Sequence, residues 1–380
     1  MANEKKPVCG LPATLAAWAG LLFAAPLLGA AAAGRWHSGL LAFPPRPPDQ
    51  TAAASFSWAA FLLVAALGAA TLLPVAARAA RSFRAAPRRI APRHGRHPFP
   101  PWGWGAIVLG AVSWAAAWGG LPALEPLRPY SFTPLWLAYI LVVNALCVRR
   151  TGSSLLTREP ALFLALFPAS ALFWWAFEYL NRFVGNWSYR GESFGPLGYL
   201  GLASLCFSTV LPAVLSTREW ILSQAVIRRA FGRMRPLSPR FGRIPPRAAV
   251  PLAVLMLAAT AAWPARLYPL LWVAPLVLLG ALCARRGSPP ILGALLGQDW
   301  TEPAAAALAG LVCGFFWEMW NHYSLLRWVY HIPGVDRFRI FEMPLLGYLG
   351  YLPFGLLCAV LGELLRQALA ARKGEGSRGL

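Results

Sequence analysis

Apolar segments long enough to cross a bilayer recur along the whole chain, and no other feature constrains the fold as much. A transmembrane helix needs about 20 predominantly apolar residues. Of the 380 residues, 58% are hydrophobic and only 13% are charged. We therefore predict an all-α polytopic membrane protein of about ten helices, which excludes a soluble globular enzyme. The apolar segments are 11–33, 55–77, 102–121, 132–148, 160–180, 197–217, 248–264, 268–284, 303–323 and 344–365.

The positive charge of the chain follows membrane topology. The formal net charge is +21, and Lys and Arg concentrate in every second connection and at both termini. Because cytoplasmic connections are enriched in these residues, we expect both termini on the cytoplasmic side and an even number of spans. The arginine-rich connections 78–101 and 218–247 are then topological signals beside the lipid bilayer, and no nucleic-acid partner is expected. The first segment could also be a cleaved signal peptide, although it is long for one.

Two copies of a four-helix unit can be recognised in the sequence. Pairs that recur in the same order are Trp136 and Trp272, Cys147 and Cys283, Glu178 and Glu318, Asn181 and Asn321, Trp187 and Trp328, and Tyr189 and Tyr330. We divide the chain into a two-helix extension at 1–101, a first repeat at 102–247 and a second repeat at 248–380. Because each repeat has an even number of helices, we expect an internal parallel duplication about an axis along the membrane normal.

Two glutamates within aromatic helix ends are the most unusual residues, since only 14 residues of the chain are acidic. Glu178 lies in FWWAFEYLN and Glu318 in FFWEMWNHY, and an asparagine follows each of them three positions later. A carboxylate inside a membrane helix is costly, by roughly 2.5–3.5 kcal/mol for Asp at the helix centre, and requires a partner or a function. In the second copy His322 follows one position after the asparagine, so three polar side chains are expected on one helix face.

The connection after each of these helices repeats the same residue types. A Trp-x-Tyr comes first, and an acid, Glu192 or Glu342, precedes the next apolar segment. The second copy adds His331 and further charged residues, so we expect it to be the more active one. An interfacial aromatic belt is the alternative interpretation of the aromatic residues. A belt does not explain why both copies keep the same carboxylate and amide.

This combination of residues predicts acid–base chemistry on a lipid. A carboxyl group in an apolar pocket can donate a proton, and aromatic faces stabilise a developing cation, as protonation of an isoprenoid double bond requires. Cyclisation, ring rearrangement or isomerisation could follow. The predicted catalytic residues are Glu318 as general acid, Glu342 as a second acid or base, Asn321 and Tyr330 as orienting groups, and Glu178 and Asn181 as their first-copy counterparts. The predicted substrate-binding residues are Trp317, Trp320, Trp328, His322, His331, Trp187 and Tyr189.

Other functions fit the same residues. Parallel repeats with carboxylates at membrane depth also suit a proton-coupled transporter or lipid carrier, and an inactive scaffold subunit is a third hypothesis. Glu318 and His322 could ligate a metal with Glu342 or His331, but the first copy has Arg182 in place of His322. The sequence contains no P-loop, dinucleotide fingerprint, nucleophile elbow or zinc-protease motif, so nucleotide-driven transport and zinc proteolysis have no support. We expect neither a metal nor a cofactor. The oligomeric state is left open.

The string at 315–355 resembles a group of bacterial polytopic membrane proteins, mostly without assigned function. They share an F-W-E-x-W-N helix end followed by F-E-M-P-L-x-G-Y-L-G-x-x-P-F, which is FEMPLLGYLGYLPF here. More remotely, the duplicated bundle is similar to the integral-membrane lycopene cyclases and to the bacterial enzyme that enlarges the last ring of a hopanoid to give tetrahymanol. The cyclases imply acidic residues that protonate an isoprenoid without redox change. The first group and the strong preference for Arg over Lys together imply a bacterial inner membrane.

Overall fold

The computed structural model describes residues 11–45, 55–85, 97–119, 122–191, 194–234, 245–285 and 291–376. Within these ranges it confirms the predicted all-α bundle. The helices are α1 (Leu11–Ala32), α2 (Trp58–Ala85), α3 (Pro101–Trp118), α4 (Phe132–Thr151), α5 (Leu155–Arg158), α6 (Pro160–Val184), α7 (Pro196–Phe207), α8 (Val210–Leu222), α9 (Ala225–Phe231), α10 (Pro246–Ala262), α11 (Pro264–Leu267), α12 (Leu270–Ala284), α13 (Thr301–His322) and α14 (Tyr351–Gly376). Four short strands are β1 (Trp187–Arg190), β2 (Arg327–Tyr330), β3 (Arg339–Ile340) and β4 (Met343–Pro344).

All ten apolar segments contain helices, but not all of these helices have the length of a membrane span. Seven spans in the described chain are long and apolar enough to cross a bilayer, namely α1, α2, α4, α6, the pair α7 and α8, α13, and α14 with the turn before it. An eighth would combine α3 with the bent segment Pro122–Tyr130. Helices α10 and α12 have 17 and 15 residues. They are about 26 and 22 Å long, against a hydrocarbon core of about 30 Å.

Proline explains why α10 and α12 are short. Helix α10 ends at Ala262, two residues before Pro264, and α12 begins directly after Pro269. A proline disfavours helical geometry at the residue before it and lacks the N–H that a continuing helix would use. Seven or eight of the ten apolar segments therefore have the length of a full span in the described residues, and α10 and α12 are the two shorter apolar helices.

The two repeats pack across each other. Helix α13 contacts α8, the last long helix of the first repeat, and α6 contacts α14, the last helix of the second repeat. The rings of Phe177 and Phe354 meet with centroids 5.6 Å apart, and Trp136 meets Trp317 at 5.1 Å. These side chains are almost completely buried. The main core therefore lies between the repeats, around the two helices that carry Glu178 and Glu318.

The first helix belongs to this core, whereas the second lies at its edge. Trp18 of α1 donates its indole N–H to the carbonyl of Pro275 at 3.0 Å, and Leu22 is buried. In contrast, none of the most apolar part of α2 is buried, and its leucines at 62, 63, 67 and 73 are exposed. Exposed leucines in a long apolar helix are typical of a surface that faces lipid.

The span formed by α7 and α8 is interrupted at residues 208–209, and α6 compensates for the break. Ser170 Oγ donates to the carbonyl of Phe207 at 2.6 Å and accepts from the N–H of Leu211 at 3.0 Å. Backbone polar groups left unpaired in a membrane cost several kcal/mol each. Ser170 therefore fixes the interrupted span to the helix that carries Glu178.

Candidate active site

A two-stranded ribbon joins the repeats at the end of the bundle where α6 and α13 finish. Strands β1 and β2 pair antiparallel, with Trp187 opposite Tyr330 and Tyr189 opposite Trp328. A two-fold axis that relates the two copies would produce this register. Because residues two apart in a strand point to the same face, the four aromatic side chains share one face of the ribbon. The duplicated Trp-x-Tyr thus forms a single aromatic surface.

Two asparagines attach the ribbon to the helix ends in equivalent ways. Asn181 Nδ2 donates to the carbonyl of Trp187 at 2.8 Å, and Oδ1 accepts from the N–H groups of Asn186 and Trp187 at 2.9 and 3.3 Å. Asn321 Nδ2 donates to the carbonyl of Trp328 at 2.8 Å, and Oδ1 accepts from the same residue's N–H at 2.9 Å. Both side chains are buried. The asparagines therefore hold the Trp-x-Tyr strands against the helices that carry the carboxyl groups.

Glu178 is buried and accepts three hydrogen bonds on one oxygen. Its Oε1 accepts from Trp174 Nε1 at 3.1 Å, from Trp187 Nε1 at 3.0 Å and from the hydroxyl of Tyr189 at 2.6 Å. All three donors are uncharged side chains. The bonds fix the orientation of the carboxyl group and leave its second oxygen, Oε2, for another contact.

Glu318 is fully buried in an equivalent position. Its Oε1 accepts from the hydroxyl of Tyr330 at 2.7 Å and from that of Tyr351 at 2.6 Å. Its Oε2 is buried and has no hydrogen-bond partner among the described residues. An unpaired buried acceptor is costly. The second carboxyl group is therefore also oriented by neutral hydroxyls through one oxygen.

Each carboxyl group has one hydrogen-bond donor from a helix, and this donor comes from different positions in the two copies. A large residue in one copy is matched by a smaller residue in the other at two aligned positions. Aligning the repeats matches Trp174 with Gly314 and Leu202 with Tyr351. In the first copy Trp174 itself reaches the carboxyl group. In the second copy Gly314 leaves this space open, and the ring of Tyr351 fills it so closely that a Cβ on Gly314 would lie 2.6 Å from the tyrosine Cγ. Each carboxyl group thus keeps an aromatic donor in addition to its ribbon tyrosine.

Glu342 and His322 form a separate polar group. His322 Nδ1 lies 3.3 Å from Glu342 Oε1, and Arg339 lies 3.7 Å from the other carboxylate oxygen and 2.7 Å from Asp336. Glu342 lies in the turn between β3 and β4, and Glu318 contacts tyrosines instead of His322. Among the described residues no three His, Cys, Asp or Glu side chains are grouped to hold a metal ion. The ligand set that we considered from the sequence is therefore not assembled.

A cavity of about 1240 Å³ opens beside the ribbon. Its walls come from the connections at this end of the bundle and from the parts of α6, α7, α12 and α14 that lie nearest the ribbon. The apolar part of the lining includes Phe132, Trp174, Phe207, Val210, Trp272 and Trp317. Pockets for drug-sized ligands have volumes of about 300–1,000 Å³, so this cavity has room for a larger ligand such as a lipid.

The cavity brings together most of the predicted site residues. Those that line it are Glu178, Asn181, Trp187, Tyr189, Trp317, Trp328, Tyr330 and His331. Those that do not line it are Glu318, Asn321, Trp320, His322 and Glu342, while Glu192 lies outside the described residues. We predicted Trp320 in the apolar wall, but it packs in the core against Trp114 and Trp136, with ring centroids 5.8 and 5.2 Å apart. The glutamate that lines the cavity is therefore Glu178 of the first copy, whereas we expected the second copy to be the more active one.

Three lining residues were missed in the sequence. Trp174 and Tyr351 donate to the two carboxyl groups, and Trp272 stacks on Phe177 at 5.3 Å in the wall between the repeats. The reciprocal size change between the aligned copies was the signal that could have identified Trp174 and Tyr351. Trp272 was recognised only as one half of a repeated pair.

The two tyrosines of the ribbon and the adjacent His331 remain uncharged at neutral pH. Burial raises the pKa of Tyr189 and of Tyr330 well above its usual value, so both hydroxyls stay protonated and donate to the carboxyl groups. Burial lowers the pKa of His331, and the charge of Arg190 lowers it further. Its Nε2 lies 3.0 Å from Ser188 Oγ. Positive charge at the cavity therefore comes from arginine and not from this imidazole.

Comparison with known proteins does not identify the chain. It matches no family model, no curated protein and no solved structure.

Proposed function

We propose that the chain is a membrane-embedded enzyme that performs cofactor-independent acid–base chemistry on an isoprenoid or other lipid, by cyclisation, ring rearrangement or isomerisation. One observation carries the proposal. Glu178, whose buried carboxyl group is held by three donors, lines a lipid-sized cavity together with several aromatic side chains, among them Trp174, Trp187 and Trp272. A proton donor next to aromatic faces is the arrangement that carbocation chemistry needs.

In the proposed reaction the proton of the Glu178 carboxyl group adds to a carbon–carbon double bond and leaves a carbocation on the lipid. The faces of Trp187 and Trp174 stabilise this cation, by up to about 2 kcal/mol for a desolvated pair. A ring closure or shift moves the positive charge, and the carboxylate then removes a proton from the neighbouring carbon. The product has the same mass as the substrate, or is heavier by one water if water captures the cation. Because Oε1 is held by three donors, Oε2 is the oxygen that exchanges the proton.

Glu318 has a supporting role in this proposal. We predicted Glu318 as the general acid, but Glu178 is the glutamate that lines the cavity. Glu318 is separated from the cavity by Tyr330 and Tyr351, its two hydroxyl donors, which do line it. Glu318 would therefore act through these tyrosines, by accepting from their hydroxyls and holding both rings in place at the wall of the cavity. Glu342 would take no part, since it lines a smaller pocket of about 270 Å³ with Arg339.

We further propose that the protein lies in a bacterial inner membrane with both termini in the cytoplasm, so that the ribbon and the cavity are at the outer face. The helix directions support this orientation, because α4 begins at the cavity with Phe132 and ends with Arg149 and Arg150. A cysteine introduced by Tyr323→Cys, at an exposed position next to the ribbon, should then react with an impermeant maleimide in spheroplasts. Arg372→Cys should react only after the membrane is opened, and the reverse pattern would contradict the orientation.

The activity is tested by comparing total lipids of cells that contain squalene-derived hopanoids and carotenoids. One culture makes the wild-type chain, another the double variant Glu178→Gln/Glu318→Gln, and a third carries the empty vector. Mass spectrometry should detect a new lipid, of unchanged mass or heavier by one water, with the wild-type chain alone. Equal amounts of folded protein in the membrane are the control. Identical lipid profiles would contradict the enzyme hypothesis and favour a proton-coupled lipid carrier, which proton-flux measurements would then test.

A further inference from the structure

Arginine dominates the charged lining of the main cavity. The cationic and imidazole side chains in its wall are Arg35, Arg128, Arg182, Arg190, Arg266, His37 and His331, and Glu178 is the one carboxylate among the described lining residues. The five arginines come from five separate segments of the chain. Charges of one sign around a cavity with low-dielectric walls focus the electric potential and attract ions of opposite charge.

Most of this charge is not used within the part of the chain that the structure describes. The side chains of Arg35, Arg190 and Arg266, which we call the free arginines, make no hydrogen bond or ion pair with a described residue. Arg182 donates to the carbonyls of Leu40 and Ala42 at 3.0 and 2.7 Å, and its buried Nε has no partner there. Guanidinium groups that are neither paired nor fully hydrogen-bonded leave donors for a ligand.

The ribbon adds a like-charge pair where the main cavity borders a smaller pocket. Arg190 lies directly opposite Arg327 in the strand register, and like charges in this position destabilise a pair of strands. Arg190 lines both the main cavity and the smaller pocket, and Arg327 lines the smaller one. A bound anion between these two side chains would convert the repulsion into attraction.

We propose that the cavity binds a prenyl lipid with a phosphate or diphosphate head group, the head group at the free arginines and the prenyl chain against Trp174 and Trp272, next to Glu178. This inference rests on the proposed function, because it names the substrate class of the same site. The planar guanidinium group binds two phosphate oxygens at once. Several arginines complement the multiple negative charges of a diphosphate head group better than the single charge of a carboxylate head group. The aromatic side chains in the wall complement an apolar chain.

The test measures binding to the purified full-length chain in phosphatidylcholine nanodiscs by quenching of tryptophan fluorescence. Geranylgeranyl diphosphate is compared with geranylgeraniol, which has the same chain without charge, and with inorganic pyrophosphate, which has the charge without the chain. The diphosphate lipid should bind at least about tenfold more tightly than either, the difference expected from one charge-assisted hydrogen bond. Equal binding of geranylgeraniol would overturn the anionic class, and equal binding of pyrophosphate would identify a free anion as the ligand.

Variants of the free arginines test whether the diphosphate lipid binds in this cavity. Arg190→Gln and Arg266→Gln should each weaken the binding of geranylgeranyl diphosphate by about tenfold and leave geranylgeraniol unaffected. Arg247→Gln makes the same change at the start of α10, at the opposite end of the bundle, and should bind like the wild-type chain. Unchanged binding in both cavity variants would overturn the proposal. So would full competition by phosphatidylglycerol, because an ordinary membrane lipid would then be the occupant.

The two proposals can fail separately. Tight binding of the diphosphate lipid, together with identical lipid profiles in the cell comparison, would support the head-group site and contradict the proposed enzymatic activity. A new lipid formed from an uncharged isoprenoid would support the enzymatic activity and contradict the proposed head-group site. Because the free arginines make no bonds to the described chain, and Arg190→Gln removes a like-charge contact with Arg327, neither substitution should lower the thermal midpoint. A midpoint that is not lowered excludes misfolding as the cause of lost binding.

Discussion

Gly355→Ala is expected to disrupt the crossing of α13 and α14, although it adds only one methyl group. A Cβ at this position would overlap the carbonyl oxygen of Ala306 and lie 3.0 Å from the Cα of Gly310. On the facing helix, a Cβ on Gly310 would lie 2.8 Å from the Cα of Gly355. These are backbone atoms, so no side chain can rotate to make room, and the helices must separate. Overpacking of a core costs roughly 1–3 kcal/mol, and we expect the upper end of this range.

The control is Gly105→Ala, the same change in α3 at a site where a Cβ meets nothing within 4 Å. This variant should be neutral or slightly stabilised, because alanine favours a helix by about 1 kcal/mol over glycine. Thermal unfolding of the detergent-solubilised protein, followed by circular dichroism, compares the two. Equal midpoints for the two variants would show that the helices do not cross as closely as described. The prediction also concerns the site, since α13 carries Glu318 and α14 carries its partner Tyr351.

Helix formation could be predicted from the sequence because the length of apolar segments reports it directly. The number of full spans could not be predicted in this way. The segments 248–264 and 268–284 are as apolar as the others, but the prolines between them shorten both helices. Hydrophobicity averaged over a window does not register where backbone geometry stops a helix. The break within 196–222 was missed for a related reason, because its repair depends on Ser170 from another helix.

The candidate site was predictable as far as the duplication reached. Glu178, Asn181, Trp187 and Tyr189 could be matched to their second-copy counterparts, and the glutamates, asparagines and tyrosines of both sets make equivalent contacts. The tryptophans differ, because Trp187 donates to Glu178 whereas Trp328 Nε1 has no hydrogen-bond partner among the described residues. Which residues face the cavity could not be predicted, because that depends on packing between the repeats. From helical spacing we expected Glu318, Asn321 and His322 on one helix face, but the three side chains contact different partners. Glu318 contacts two tyrosines, Asn321 contacts the backbone of Trp328, and His322, the last residue of α13, contacts Glu342.

Glu178→Gln is expected to lower the formation of the new lipid by at least about 100-fold, the lower limit of what a positioned acid or base contributes. The amide has nearly the same shape, and its oxygen can still accept from Trp174, Trp187 and Tyr189. The fold and the membrane level of the protein should therefore be unchanged. What the amide cannot do is give a proton to the lipid and take one back, so the loss should be confined to the rate.

Two matched variants make this result specific to the cavity. Glu318→Gln makes the same change in the second copy, where Tyr330 and Tyr351 separate the carboxyl group from the cavity. It should cause a smaller loss of rate, about tenfold for one weakened hydrogen bond. Glu302→Gln makes it at the first turn of α13, where the side chain is half-exposed, and should leave the rate unchanged. Initial rates in isolated membranes, normalised to the amount of protein, separate the three. A larger loss with Glu318→Gln would return the acid to the second copy, as the sequence predicted. Full activity of both Glu178→Gln and Glu318→Gln would exclude catalysis by either carboxyl group.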